Sequence, residues 1–205
     1  MDLTRYHKST YDKVASEYEE RIVINRQTIE TVLPRLMGWI KKKEKALDIG
    51  CAVGLHMKML ENLGFNVTGI DVSDEMVKYA KKRNPFSRVI LGDFLDVDFG
   101  EKYDLIWALA FIHLYPKKEI SKILDKINFL LEEGGICLLT TTKAEKSEEG
   151  FFEKKDYNKK VKRFRKFWTK EELEKELRNS FEILDYFERV DGKNKHWMLF
   201  VIKRK

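Results

Sequence analysis

Apolar and polar positions follow one period before Ala46 and two after it. In YDKVASEYEERI and QTIETVLPRLMGWI the apolar and aromatic residues recur three and four apart, the spacing of one helix face. Helices are expected across residues 4–42, with Pro34 kinking or restarting the second, because its ring removes a backbone donor. Beyond Ala46, short apolar runs take turns with amphipathic stretches. ALDI, NVTGID, RVIL, YDLIWALAF and ICLLTTT read as buried strands. GLHMKMLENLG, ended by Gly64, DEMVKYAKKR and KKEISKILDKINFLLEEGG read as helices. Ser73 is placed to cap the second helix ahead of two acids, and Gly134 with Gly135 to close the third.

This βαβ order predicts an α/β fold whose mostly parallel sheet, in the order 3-2-1-4-5, is covered by helices on both faces. The C-terminal pattern differs. TKEELEKELRNS starts with Thr169 and carries Glu172 three residues on, a capping box. FEILDYFERV and HWMLFVIKRK, joined by DGKNK, predict an antiparallel hairpin. Residues 143–168 are Lys-rich with interleaved aromatics and no clear period, so they are expected as a long excursion. With no repeat and no linker, residues 1–205 are expected to form a single domain, 1–43 being its helical cap.

Composition narrows the partners. Hydrophobic residues are 43% of the 205, enough for a sizeable core. No apolar run approaches the roughly 20 residues that span a bilayer, so no membrane partner is expected. MDLTRYHKSTYDK lacks the apolar segment of a secretory signal. Cys51 and Cys137, both within apolar segments, are too few for a disulfide framework, and a cytoplasmic location is expected. The net charge of +6 favours an anionic partner, but with 36% charged residues of both signs a solvated surface accounts for it as well.

The loop in ALDIGCAVG, directly after the first strand, carries Gly50 and Gly54. Glycines there allow a tight turn and let a ligand approach bare backbone. The dinucleotide fingerprint G-x-G-x-x-G is absent; the loop reads D-x-G-x-A-x-G, from Asp48 through Gly50 and Ala52 to Gly54. An acid before the first glycine repels phosphate and suits an ammonium group. No Gly-Lys-Ser/Thr follows, which excludes a phosphate-binding P-loop. Asp71, at the tip of the second strand, can accept from both hydroxyls of a ribose. Asp93, in the GDF after the third strand, can accept from the amine of adenine, and Phe94 offers an apolar face. Three acids on successive strands, suited to an ammonium, a ribose and an adenine, together describe S-adenosylmethionine.

These residues resemble the class I, Rossmann-like S-adenosylmethionine-dependent methyltransferases. ALDIGCAVG looks like their motif I, GDF like the adenine-side motif, YDLIWALAFIHL like motif IV, and YDKVASEYEERI like the cofactor-covering helix YDxxAxxY of small-molecule members. The blocks GFFEKK, RFRKFWTKEELEKEL and KHWMLFVIKRK are similar to a bacterial and archaeal subgroup. The resemblance covers nearly the whole chain. It implies a doubly wound seven-stranded sheet in the order 3-2-1-4-5-7-6, the last inserted strand antiparallel. It implies that Asp48, Gly50, Cys51, Ala52 and Gly54 hold the methionyl end and Asp71 the ribose. Val72, Met76, Asp93 and Phe94 would enclose the adenine, Ala108 would present backbone near the sulfonium, and Tyr11 and Tyr18 would lie over the site. Ala52 departs from the pattern, which has glycine there; altered affinity rather than lost binding is expected.

Methyl transfer from a sulfonium is an in-line displacement, so the protein chiefly aligns the reactants, and a base is needed only for a protonated acceptor. WALAFIHL lacks the Asn-Pro-Pro-Tyr of enzymes that methylate base amines or glutamine amides. His113, just past the fourth strand, is the candidate base, against the alternative of a packing histidine; His56 and His196 read as structural. No metal-ligand spacing is present. The basic, aromatic excursion suits a lid, a pocket for an anionic small molecule, or single-stranded RNA. The expected function is methylation of a small molecule at O, N or S by a monomer or homodimer. RNA or protein methylation and a non-catalytic cofactor-binding module are the alternatives.

Overall fold

A seven-stranded sheet forms the centre, with neighbours in the order β3-β2-β1-β4-β5-β9-β8. The structure, a computed structural model, describes residues 2–21, 32–154, 157–192 and 194–205. The strands are β1 (Lys45–Ile49), β2 (Asn66–Asp71), β3 (Arg88–Leu91), β4 (Tyr103–Leu109), β5 (Leu131–Thr142), β8 (Phe181–Val190) and β9 (His196–Arg204). β1 to β5 are parallel, and β9 runs antiparallel to both β5 and β8. This is the expected order, with the last pair renumbered by two strands outside the sheet. β1 and β4 are buried almost throughout, as parallel strands covered on both faces must be, which is why they read as mostly apolar runs without alternation.

The helices are α1 (Leu3–Glu20), α2 (Leu55–Asn62), α3 (Asp74–Arg83), α4 (Ile120–Leu130) and α5 (Lys170–Ser180); residues 32–37 are also helical. On one face Leu47, Ile49 and Ile106 pack with Ile123 and Ile127 of α4 and Leu173 of α5. On the other, Ala46, Val67, Leu105 and Trp107 pack with Met57 and Leu60 of α2 and with Leu36. Ser73 caps α3 and Thr169 caps α5, both through the side-chain oxygen, as their positions predict. Pro34 lies within the helical residues 32–37, but residues 22–31 lie outside the described residues, and with them the expected kink or restart. No helix among the described residues is long and apolar enough to cross a membrane.

Two expectations are corrected. α4 stops at Leu130 rather than at the two glycines, because fully buried Leu131 pairs with Tyr103 and takes the chain into β5. Residues 143–168 are not unpatterned: β6 (Glu148–Lys154) and β7 (Val161–Phe167) form an antiparallel hairpin. Phe164, Lys166 and Trp168 are buried while Arg163 and Arg165 between them are half-buried, a period of two. Cations stand on both faces, which hides that period from a hydrophobicity pattern. The hairpin and α1 lie together over the carboxyl ends of the strands, joined where Thr10 donates to the Lys162 carbonyl at 3.2 Å.

Candidate functional site

The sheet order reverses between β1 and β4, and a crevice opens at their carboxyl ends. The β1–α2 loop there turns through positive φ at alternate residues: Gly50 at 70°, Ala52 at 47° and Gly54 at 75°. Its backbone is tied to β2, since Gly50 and Cys51 both donate to the Ile70 carbonyl, at 2.9 and 3.0 Å. Gly54 has a second reason to be glycine: a Cβ would come 2.9 Å from Ala80 Cα of α3.

Asp71 at the tip of β2 fastens the loop from the other side. Its carboxylate accepts from the Ala52 N–H at 3.0 Å and the Ser73 N–H at 2.9 Å. Burial pushes its pKa up to about 6, against the pull of those backbone donors. Asp48 is more extreme. It is 1% exposed, and its Oδ2 has no hydrogen-bond partner among the described residues. Burial, with the Asp71 charge nearby, pushes its pKa up to about 8.

A cavity of about 510 Å³ occupies the crevice. One face of α1 forms part of its roof: Thr4, His7, Tyr11 and Tyr18 line it, spaced by three, four and seven residues. Gly50, Ala52, Asp71, Val72, Met76 and Phe94 line the floor, joined by His113 from the short turn Ile112–Leu114 after β4. Nine of the fourteen expected site residues thus meet on one surface. The other five stand behind it. Gly54 shapes the loop; Cys51 is buried beneath it, its thiol pushed up by burial; Ala108 is buried in β4, next to lining Leu109 and Ala110; Asp48 has been described. Asp93 accepts from the Leu95 N–H at 2.8 Å and from the Thr4 hydroxyl of α1, so it pins the covering helix.

His113 is 1% exposed, with Nδ1 3.3 Å from the Thr141 hydroxyl. His56, read from sequence as structural, also lines the cavity, its ring 5.9 Å from that of Trp107, and burial pushes its pKa down to about 4. The cavity is also cationic in part. Arg163 and Arg165 from β7 and Arg189 and Lys195 from the β8–β9 region line it, and Arg163 donates to the Tyr11 hydroxyl at 2.9 Å. The carboxylate in that region, Asp191, accepts from the Lys195 N–H and the Trp197 indole, both at 3.0 Å. Sequence reasoning missed His7, Arg189, Lys195 and Trp197. The helical spacing from Thr4 through His7 to Tyr11 carried a signal for the first; nothing local marks the other three.

Residues 47–139 match the Methyltransferase domain family. An uncharacterized methyltransferase of Alkaliphilus oremlandii is 26% identical over 95% of this chain and 93% of its own. The juvenile hormone acid O-methyltransferase of Bombyx mori is 34% identical over 49% of this chain, which spans only 39% of that protein. An S-adenosylmethionine-dependent methyltransferase from Clostridium acetobutylicum shares the fold, with a TM-score of 0.74 at 16% identity, over 95% of this chain and 98% of that one. The glycine loop, the sheet order and these likenesses agree: residues 47–139 form a Methyltransferase domain, and the chain as a whole has the fold of the class I, Rossmann-like S-adenosylmethionine-dependent methyltransferases.

Proposed function

We propose that this enzyme, a single domain over residues 1–205 working in the cytoplasm, methylates a small molecule that carries an anionic group. The carrying observation is the cavity: it is roofed by α1 and the β6–β7 hairpin, and Arg163, Arg165, Arg189 and Lys195 are part of its lining. A roofed cavity of this size admits a metabolite and excludes a folded macromolecule. Guanidinium groups recognise carboxylate or phosphate through paired N–H donors. The juvenile hormone acid relative, named for an acid acceptor, supports the same chemistry.

S-adenosylmethionine, when bound, supplies an electrophilic methyl group on a sulfonium. The residues present fit it. The unpartnered, buried Asp48 Oδ2 needs a cation or donor, which an ammonium group provides. The loop of Gly50, Cys51, Ala52 and Gly54 offers backbone without side chains in the way. Asp71 would accept from the ribose hydroxyls. Val72, Met76 and Phe94 would line the adenine pocket, Asp93 would close it, and Ala108 with the next two residues would border the sulfonium. Tyr11 and Tyr18 would cover the whole and keep water out, and His113, packed on Thr141, would border the acceptor.

Calorimetry with S-adenosylhomocysteine and NADH tests the donor site; binding of NADH alone would refute it. Transfer from a labelled donor into anionic metabolites, compared with RNA, tests the acceptor class. Replacing Arg163 and Arg165 by alanine is expected to raise the acceptor KM while donor affinity stays nearly unchanged.

A further inference from the structure

His7 stands on the cavity face of α1 between Thr4 and Tyr11 and is 5% exposed. Its Nε2 lies 2.9 Å from the Leu114 carbonyl oxygen. A carbonyl only accepts, so this contact requires the proton on Nε2 and leaves the lone pair of a neutral ring on Nδ1. Nδ1 is buried and has no hydrogen-bond partner among the described residues. A buried acceptor without a donor is costly, and a molecule in the cavity that His7 lines is placed to supply one.

We propose that His7 is the proton acceptor of the methyl transfer, its Nδ1 taking the proton from an acceptor O–H or N–H. The acceptor heteroatom forms its bond to the methyl carbon, and the carbon–sulfur bond breaks with its electron pair going to sulfur. The acceptor's proton passes to Nδ1, and the imidazolium returns it to solvent. The charged groups facing the ring are Arg163 from β7 and Asp93 after β3. Burial lowers the imidazole pKa, the Leu114 hydrogen bond opposes this, Arg163 adds to the lowering and Asp93 offsets it, and the balance lies below the ordinary value. The other two cavity histidines are less suited. His113 already offers Nδ1 to the Thr141 hydroxyl, and His56, held down to about 4, is too weak a base at neutral pH. The spacing carries the same assignment: His7 shares a helix face with Tyr11, which binds Arg163, one of the cations proposed to hold the anionic acceptor.

The inference rests on the small-molecule reading above, and calorimetry with S-adenosylhomocysteine tests that donor site separately. The primary test is long-range ¹H–¹⁵N NMR of the four histidines in that complex, with His7→Gln identifying the signal. The expected result is the Nε2–H tautomer with a titration midpoint below 6.5; an Nδ1–H tautomer overturns the proposal, whatever the activity. The second test compares two probe acceptors. 3-Hydroxybenzoate has a phenol proton to lose and a carboxylate for the arginines; iodide has no proton. His7→Gln, whose amide can still donate to Leu114, is expected to lose about 100-fold or more with 3-hydroxybenzoate. The acid limb of the pH profile should vanish, while the iodide rate and S-adenosylhomocysteine affinity hold. Equal losses with both probes, or a limb that instead disappears in His113→Gln, would overturn it. If neither probe turns over, the tautomer decides.

Discussion

The Ser73 hydroxyl donates to Asp12 Oδ1 at 2.6 Å and accepts from the Met76 N–H at 3.2 Å, so one side chain both caps α3 and holds α1. Asp12 also accepts from the Glu75 N–H at 3.2 Å and from Lys8 at 2.9 Å. A carboxylate from one helix thus sits at the positive end of another, and the contact fixes the roof of the cavity above its floor.

Asp12→Ala is therefore expected to loosen α1 first. The cost is about 1 kcal/mol, the scale of a lost N-terminal cap. Amide exchange should rise in α1 and S-adenosylhomocysteine affinity should fall, with the β1–β4 core unchanged. Burial raises the carboxyl's pKa, but the hydrogen bonds from Ser73, Lys8 and Glu75 outweigh it and leave it below 3.8. A depressed folded value means the contribution is complete above 3.8 and disappears as pH falls through the folded value. Acid should release α1 before the sheet melts; uniform exchange across α1 and the sheet at low pH would contradict this.

Asp48 carries the opposite sign. Its pKa in the folded chain is pushed from 3.8 up to about 8, so the folded state holds a proton that the unfolded state has lost between those values. The contribution to stability is present at low pH and declines as pH rises from about 4 to 8. An ammonium group beside Asp48 favours the ionised form, so donor binding should release a proton between pH 6 and 8. Affinity should climb with pH by up to about tenfold per unit in that window. Calorimetry in buffers of different ionisation heat measures the proton count, and Asp48→Asn should abolish it. A proton count of zero at pH 7 would remove Asp48 from the ammonium site.

Lys166 is the pin of the hairpin. It is 2% exposed, and its ammonium donates to Glu172 at 2.7 Å, Ser147 at 2.5 Å and the Phe167 carbonyl at 2.9 Å, over the Trp168 ring. Lys166→Ala leaves those acceptors short of a donor and should cost about 1–3 kcal/mol. The denaturant midpoint reports the loss, and the acceptor KM should rise as the roof loosens. Retained stability would mean that the ion pair with Lys117, at 2.8 Å, is enough for Glu172.

Much of this was legible beforehand because each sheet strand is a dense apolar run and each helix carries its own punctuation, Ser73 and Thr169 among it. Asp71 of the floor could be read because the tip of β2 fixes where it stands. The roof was harder. Asp93 reads from sequence as an adenine ligand, and in the fold it accepts from Thr4, a partner 89 residues away that no local pattern announces. Arg189 and Lys195 reach the cavity only because β9 inserts beside β5, so their role depends on topology, not on neighbours in sequence.

Ala52 stands where the resemblance calls for glycine, and its φ of 47° shows why glycine is usual: the left-handed region costs an L-residue about 1–2 kcal/mol. The methyl group is not idle. It packs in the small cluster of Ala15, Val53 and Met76 with Tyr11 and Tyr18, and so touches the covering helix. Ala52→Gly relieves the backbone but gives up one half-buried methyl, at most about 0.8 kcal/mol, and frees the unfolded chain by about 0.4–1 kcal/mol. The terms nearly cancel, so global stability should change by less than about 1 kcal/mol while exchange in α1 increases. Gly54→Ala has no such compensation, since its φ is 75° and its Cβ would meet Ala80 Cα at 2.9 Å. It should destabilise by more than about 2 kcal/mol. A thermal melt in which the two substitutions act alike would show that Ala52 does not anchor the roof.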